Sequence, residues 1–437
     1  MTVPMTCPGT AARWGTGTDT RSRDALTRYQ RSMRVARIRY VSALSVAALL
    51  LLTLVTVAYS RGEIAHARLS TAVAPARPLM LQAPTVRQRE VWSSRDRSAV
   101  GTPVWGGTLI TYSSHGVRGR DARSGTITWS YARTDRRLCQ AVQDQGVTVA
   151  IFEVGGNCDE VTALDSRTGT RRWTRTLDED GAALTGHPTY SVTAATIMIT
   201  APTVIYAIDP RSGLDRWVYQ PARCTISSAV LGSSGALISQ RCDTPPCAGA
   251  DFCGTGPQLL LRDAGAARDD NAARNRDQIT WNRIGAEAIP LSAGGVLTAF
   301  DPASNAIDIL APATGNVRAT LPPPAAGLSR SRRPITSGIA DLAVRQADLV
   351  WIGGLTYALA TSTDRLLWTR PTRALPTALT SGHLVAAPDA AGVALLDPNT
   401  GRVRQHFAIA SGGPDAVRAY RLGSGFVIAG SATTVFR

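Results

Sequence analysis

The chain has 437 residues, 47 basic against 32 acidic side chains, a formal net charge of +15 and 44% hydrophobic residues. That apolar content and length exclude a wholly disordered polypeptide and allow a large core. The basic excess is all Arg, with no Lys, and no aromatic interleaving or known module accompanies it, so no nucleic-acid partner is expected.

Residues 1–39 carry eight Arg against Asp19 and Asp24 and few apolar side chains, the composition of a disordered tail. Tyr40 to Ser60 then contains no charged residue. At about 1.5 Å per residue it reaches across the roughly 30 Å hydrocarbon layer as one helix. Tyr40 and Tyr59 sit where interfacial aromatics belong. Arg28, Arg31, Arg34, Arg37 and Arg39 place the N-terminal side in the cytoplasm and the rest of the chain outside. The expectation is a single-pass, uncleaved anchor in the plasma membrane. A cleaved signal peptide is the alternative, for which Ala58-Tyr-Ser60 is the nearest cleavage-like sequence. Residues 61–87 read as an extracytoplasmic spacer, with Arg61 to Thr71 continuing the helix and Pro75, Pro78 and Pro84 stiffening an extended stretch.

From residue 88 onward one phrase repeats. Its clearest copies begin at Asp121, Asp165 and Asp209, reach Gly125, Gly169 and Gly213, and end four positions later on Trp129, Trp173 and Trp217. Asp397 to Gly401 keeps the turn but has Gln405 in the Trp place. Asp263 begins a copy interrupted by Ala264 to Gln278 before Trp281, Ala311 to Gly315 has Ala for Asp, and Ala360 to Asp364 precedes Trp368. Each copy follows an apolar run. The Asp caps the turn by accepting backbone N–H groups and Gly supplies a positive φ, so each phrase predicts a β-hairpin with Trp on its outgoing strand. One Trp per repeat at a fixed place predicts a ring wedged between neighbouring sheets.

The turns start 37 to 54 residues apart, enough for four short strands each, which predicts an all-β propeller. Glu90-Val-Trp92 resembles the last strand of a blade without a beginning. Gly425 to Gly430 and Thr433 to Arg437 resemble inner strands of a blade without an end. Joined, they predict an eighth blade and a ring without a free edge, with seven blades as the alternative.

The repeated Asp-x-x-Thr-Gly-x-x-x-Trp phrase resembles the repeat of pyrroloquinoline-quinone-type propellers, a superfamily of quinoprotein dehydrogenases and BamB-like outer-membrane assembly scaffolds. The resemblance covers residues 88 to 437 and implies the fold. Quinoprotein dehydrogenases use an adjacent Cys-Cys pair near the cofactor, and no two cysteines here are adjacent, so neither cofactor nor catalytic residues are carried over. The all-Arg, Ala-rich composition points to a GC-rich, actinobacterial genome.

Of seven cysteines, Cys7 falls on the expected cytoplasmic side and six fall outside. The repeat pairs Cys139 with Cys158 and Cys224 with Cys242, each across neighbouring strands, and leaves Cys247 with Cys253. A zinc site fits the spacing poorly. His66, His115, His187, His383 and His406 show no metal spacing and no nucleophile motif, and Asp269, Asp270 and Asp277 read as a solvated face. No catalytic, cofactor or metal site is therefore expected. Asp243 to Gly256 and Leu321 to Gly338 are long loops on a rigid scaffold, where partners bind. The function expected is a non-enzymatic, membrane-anchored scaffold for an envelope protein partner. A degenerate quinoprotein-type oxidoreductase or an envelope sensor is the alternative.

Overall fold

The computed structural model describes residues 40, 42, 44–54, 66–79, 88–177, 184, 188–193, 196–221, 223–243, 254–263, 279–322, 340–344, 346–379, 383–409 and 418–437. The chain forms two units, residues 1–66 and 67–437. In the first, residues 44–54 are helical and exposed. Among the described residues no helix is long and apolar enough to cross a membrane; residues 41, 43 and 55–60 of the expected span lie outside them.

The second unit is a ring of eight sheets, antiparallel throughout except that Val100–Gly101 pairs in parallel with Leu138–Asp144. Blade 1 is built on Arg97–Ser98, Thr108–Ser113, Gly116–Asp121 and Ile127–Arg133. Blade 2 follows with Leu138–Asp144, Val147–Val154, Asn157–Asp165 and Arg171–Thr176, and blade 3 with Thr189–Thr193, Thr196–Thr200, Ile205–Ile208 and Asp215–Tyr219. Blade 4 holds Cys224–Gly232, Gly235–Cys242, Gly256–Arg262 and Ile279–Ile284; blade 5 holds Ile289–Ala293, Leu297–Asp301, Ala306–Leu310 and Val317–Leu321. Blade 6 has Ala340–Val344, Ala347–Ile352, Leu355–Ala360 and Leu366–Pro371, and blade 7 has Thr377–Ala378, Val385–Asp389, Gly392–Leu396 and Val403–Ala408.

Blade 8 takes three strands from one end of the ring sequence, Arg418–Leu422, Gly425–Ala429 and Thr433–Phe436, and its outermost, Glu90–Ser94, from the other. The ring therefore has eight blades, closed as the sequence pattern predicts. Closure pairs an inner strand that would otherwise offer open N–H and C=O groups.

The middle strands of most blades are largely apolar and buried because each sheet packs between two neighbours. Val142, Ile151 and Val161 of blade 2 meet Ile197, Ile199 and Tyr206 of blade 3 in one cluster; Trp129 and Tyr131 of blade 1 meet Ala150, Phe152 and Leu164 of blade 2 in another.

Ala67–Ser70 departs from the expected helix. It is a strand added to the outer edge of blade 1, with Ala67 opposite Arg133 and Ser70 opposite Ser130. The open edge of Ile127–Arg133 satisfies its backbone, and this outweighs local helix preference. The chain then crosses the ring: Ala72 N–H donates to the Thr168 carbonyl at 2.9 Å, and Leu79 joins the apolar cluster of blades 8 and 1 with Leu109, Trp92 and Val435.

Candidate interaction surfaces of the ring

Because strands alternate in direction, the turns after the first and third strands of every blade share one face of the ring. The turns after the second and fourth share the other. The repeated phrase is the third-to-fourth turn, so all its copies lie on the first face.

Each phrase turn is a lock. Asp165 Oδ1 accepts the backbone N–H of Arg167 at 3.0 Å and of Thr168 at 3.1 Å, and Gly169 N–H closes the turn on the Asp165 carbonyl at 2.8 Å. Asp121, Asp209 and Asp397 cap their turns in the same way. The Trp of the preceding blade then lies on the turn Gly. Trp129 is fully buried, and a Cβ on Gly169, whose φ is +73°, would stand 2.7 Å from its ring. Its indole N–H donates to the Ser166 carbonyl at 3.0 Å.

The same arrangement joins Trp92 to Ala122, Trp173 to Pro210, Trp281 to Pro312 and Trp368 to Pro398, at 3.3, 3.1, 2.9 and 2.8 Å. Gly125, Gly213, Gly315 and Gly401 lie under those rings. Trp is thus core, as the repeat implied. Sequence reading did not foresee that the acceptor is always the residue after the Asp position.

Three seams depart from the lock. Between blades 3 and 4, Trp217 is 3% exposed and its Nε1 has no acceptor among the described residues. The Arg262 guanidinium instead lies 4.5 Å over its ring. Arg262 occupies the place of Leu164 or Ile208 in other blades, and burial pulls its pKa down to about 10. Between blades 5 and 6, Ala319 stands in the Trp place and Asp364, at φ +55°, in the Gly place. There Arg318 pairs with Asp364 at 2.6 Å. Between blades 7 and 8, Gln405 replaces Trp, and the strands Thr433–Phe436 and Glu90–Ser94 have no hairpin turn to receive one.

The opposite face carries both described disulfides. Cys224 and Cys242 lie directly across the first two strands of blade 4, as expected. Cys139 and Cys158 are also bonded, but they join the first and third strands of blade 2 rather than neighbours, reaching across the end of the intervening hairpin. Cys247 and Cys253 lie outside the described residues, as do Asp269, Asp270, Asp277 and most of the two long loops. The connections from Thr176 to Thr189, Cys242 to Gly256, Leu321 to Ala340 and Ala408 to Arg418 all join strand ends on this disulfide face.

Beside it, between blades 1 and 2, the buried Arg133 pairs with Asp135 at 2.9 Å and Glu160 at 2.5 Å, and Arg136 also pairs with Glu160. Between blades 3 and 4, Tyr219 donates to Gln240 at 2.8 Å, Gln240 to Gln258 at 3.0 Å and Gln258 to the Gly254 carbonyl at 2.6 Å. This buried chain holds the base of the 243–256 loop. Among the described residues no cluster of His, Cys, Asp or Glu could hold a metal ion; His406 Nε2 sits 3.1 Å from Asp389 and no further acidic group joins them.

Comparison with known proteins bears on the fold. The family described as outer membrane protein assembly factor BamB matches residues 81–239. No curated protein matches the chain. Among solved structures, BamB from Moraxella catarrhalis is 18% identical, with 80% of this chain and 99% of that one covered and a TM-score of 0.45. The C-terminal WD40 domain of Sif2 is 12% identical, covering 81% and 99%, at 0.46. A quinohemoprotein alcohol dehydrogenase from Pseudomonas putida HK5 is 13% identical, covering 83% and 78%, at 0.45. The repeated locking phrase and the eight blades make this chain an eight-bladed β-propeller, of which residues 81–239 are similar to the family described as outer membrane protein assembly factor BamB.

Proposed function

We propose that the chain is a single-pass membrane protein whose propeller stands outside the cytoplasm and serves as a non-enzymatic interaction scaffold in cell-envelope assembly or maintenance. The observation that carries this reading is the pair of disulfides inside the ring, Cys139–Cys158 and Cys224–Cys242. Such bonds persist in oxidising compartments, and they follow the uncharged stretch from Tyr40 to Ser60 with its Arg-rich N-terminal flank. The match to an assembly factor supports a binding role. So does the disulfide face, which gathers four connections on a rigid ring.

Cross-linking in native membranes, with purification through a C-terminal tag and mass spectrometry, tests the scaffold. One dominant envelope protein joined through residues 243–256 or 321–338 is the expected result; recovery of the chain alone contradicts it. Alkaline carbonate extraction tests the anchor separately, since release of the chain to the soluble fraction excludes a spanning helix.

A further inference from the structure

The locking face holds an asymmetry that the fold does not need. In the phrase turns of blades 1, 2 and 3 the third position is Arg123, Arg167 and Arg211; in blades 5, 6 and 7 it is Ala313, Ser362 and Asn399. The lock uses the Asp carboxylate, the following carbonyl and the Gly, so this position is free to vary. Asp121, Asp165 and Asp209 spend their Oδ1 atoms on the turn N–H groups. The second oxygens of Asp165 and Asp209 go to Arg172 and Arg216. None of the three third-position guanidiniums pairs with a described carboxylate, and Arg211 reaches only the amide oxygen of Gln145, at 3.4 Å.

Between them the surface is prepared rather than bare. Trp105 is 40% exposed and lies over Gly146, the first turn of blade 2. The Arg167 stem rests on Gly106, and the backbone of the exposed Arg77 lies against Gly107. Arg123, Arg167 and Arg211 therefore make an arc of cations without a carboxylate partner among the described residues, across three consecutive blades, with the half-exposed indole of Trp105 between the first two blades.

We propose that this arc binds an anionic polysaccharide, its carboxylates or phosphates seated on the guanidiniums and one sugar ring on Trp105. Equivalent positions in successive blades set a regular spacing that suits a repeating, linear polyanion better than a globular surface. A flat aromatic on the same arc gives the uncharged face of a pyranose an apolar contact. The assignment rests on the extracytoplasmic placement proposed above, which removes nucleic acid as a natural competitor.

The test uses the full chain in detergent micelles, with oligogalacturonate as probe and neutral oligogalactose of equal length as its control. Oligogalacturonate should bind and oligogalactose should not. The logarithm of affinity should fall linearly with the logarithm of salt, with a slope of about three, one released counterion per guanidinium. The triple variant Arg123→Gln, Arg167→Gln, Arg211→Gln should lose binding and the slope, while Trp105→Ala should lose about tenfold in affinity and keep the slope. Equal binding of the neutral oligomer, or an unchanged triple variant with an unchanged melting temperature, overturns the proposal. So does equally tight binding of polyglutamate or single-stranded DNA with the same dependence on Trp105. Protease accessibility of the ring in intact cells tests the placement on its own, so either reading can fail without the other.

Discussion

Trp92 donates its indole N–H to the Ala122 carbonyl at 3.3 Å and thereby locks blade 8 onto blade 1 with the same contact that locks four other seams. Trp92 lies on the only strand of blade 8 drawn from the front of the ring sequence. Two devices therefore meet there: a β-ladder to Thr433–Phe436 and a Trp lock to the blade 1 turn.

Removing Thr433 to Arg437 should destabilise the whole ring rather than fray one end. Thr433–Phe436 is hydrogen-bonded on both sides, to Gly425–Ala429 and to Glu90–Ser94, and Val435 is fully buried. Its loss would leave two open edges facing each other across a gap. Thermal melting should show one cooperative transition at a clearly lower temperature. A truncated chain that melts like the full one would mean that closure contributes nothing.

The Trp seams should differ in what they lose when only the indole N–H is removed. Trp129→Phe leaves the buried Ser166 carbonyl without its 3.0 Å donor, at a cost of about 1 to 3 kcal/mol. Trp217→Phe removes an N–H that has no acceptor among the described residues, so the hydrogen-bond loss is absent and only the smaller ring and its weaker contact with Arg262 count. Urea midpoints for the two variants should separate, with Trp129→Phe the weaker. Trp129→Ala, which empties a fully buried site, should cost about 3 to 5 kcal/mol. If both Phe variants lose stability equally, the indole hydrogen bond is not part of the lock.

Much of this ring was legible because its repeat encodes a local turn and a non-local contact in one phrase. Asp165, Gly169 and Trp173 announce the hairpin, and repetition announces the ring; the split eighth blade follows from a Trp strand at Glu90–Ser94 with no partner nearby in sequence. Ala67–Ser70 was not legible, because four residues of no strong pattern become a strand only where blade 1 offers an edge. Nor was the Cys139–Cys158 geometry, since the repeat gives strand order but not how far a hairpin end curls over its neighbour. The arc of Arg123, Arg167 and Arg211 was visible in the sequence as three Arg at one phrase position. Only the structure showed that the turn carboxylates hold backbone N–H groups and that those of Asp165 and Asp209 also pair with Arg172 and Arg216.

Each described disulfide should stabilise the ring independently. Both close loops of similar length, with sequence separations of 19 and 18 residues, so the chain-entropy estimate is about 3 kcal/mol for each. Cys139→Ser with Cys158→Ser, and Cys224→Ser with Cys242→Ser, should lower the urea midpoint by comparable amounts, and the combined variant should lose nearly the sum. Mass mapping of a non-reduced digest checks the pairing directly. Free thiols at Cys139 and Cys158 would contradict both the bond and the proposed compartment.

The closure seam should also be sensitive to acid. Asp96 connects blade 8 to blade 1 and accepts hydrogen bonds from Arg118 at 2.7 Å and Arg120 at 2.8 Å, while its carbonyl receives the Thr433 hydroxyl at 2.9 Å. Burial alone would raise its carboxyl pKa, but the hydrogen bonds and charges of Arg120 and Arg118 outweigh burial and hold it below the ordinary carboxylate value. A folded value below the unfolded one means that the ionised form stabilises the ring. That contribution is fully present above the unfolded value of about 3.9 and is lost as pH falls through the folded value. Asp96→Asn should therefore lower stability at neutral pH, read as a lower urea midpoint, by about 1 to 3 kcal/mol, since Arg118 and Arg120 are only partly buried and water can reach them. The difference from the unmodified chain should shrink below about pH 4. A gap between the two proteins that stays constant down to about pH 2 would assign the effect of Asp96 to packing rather than charge.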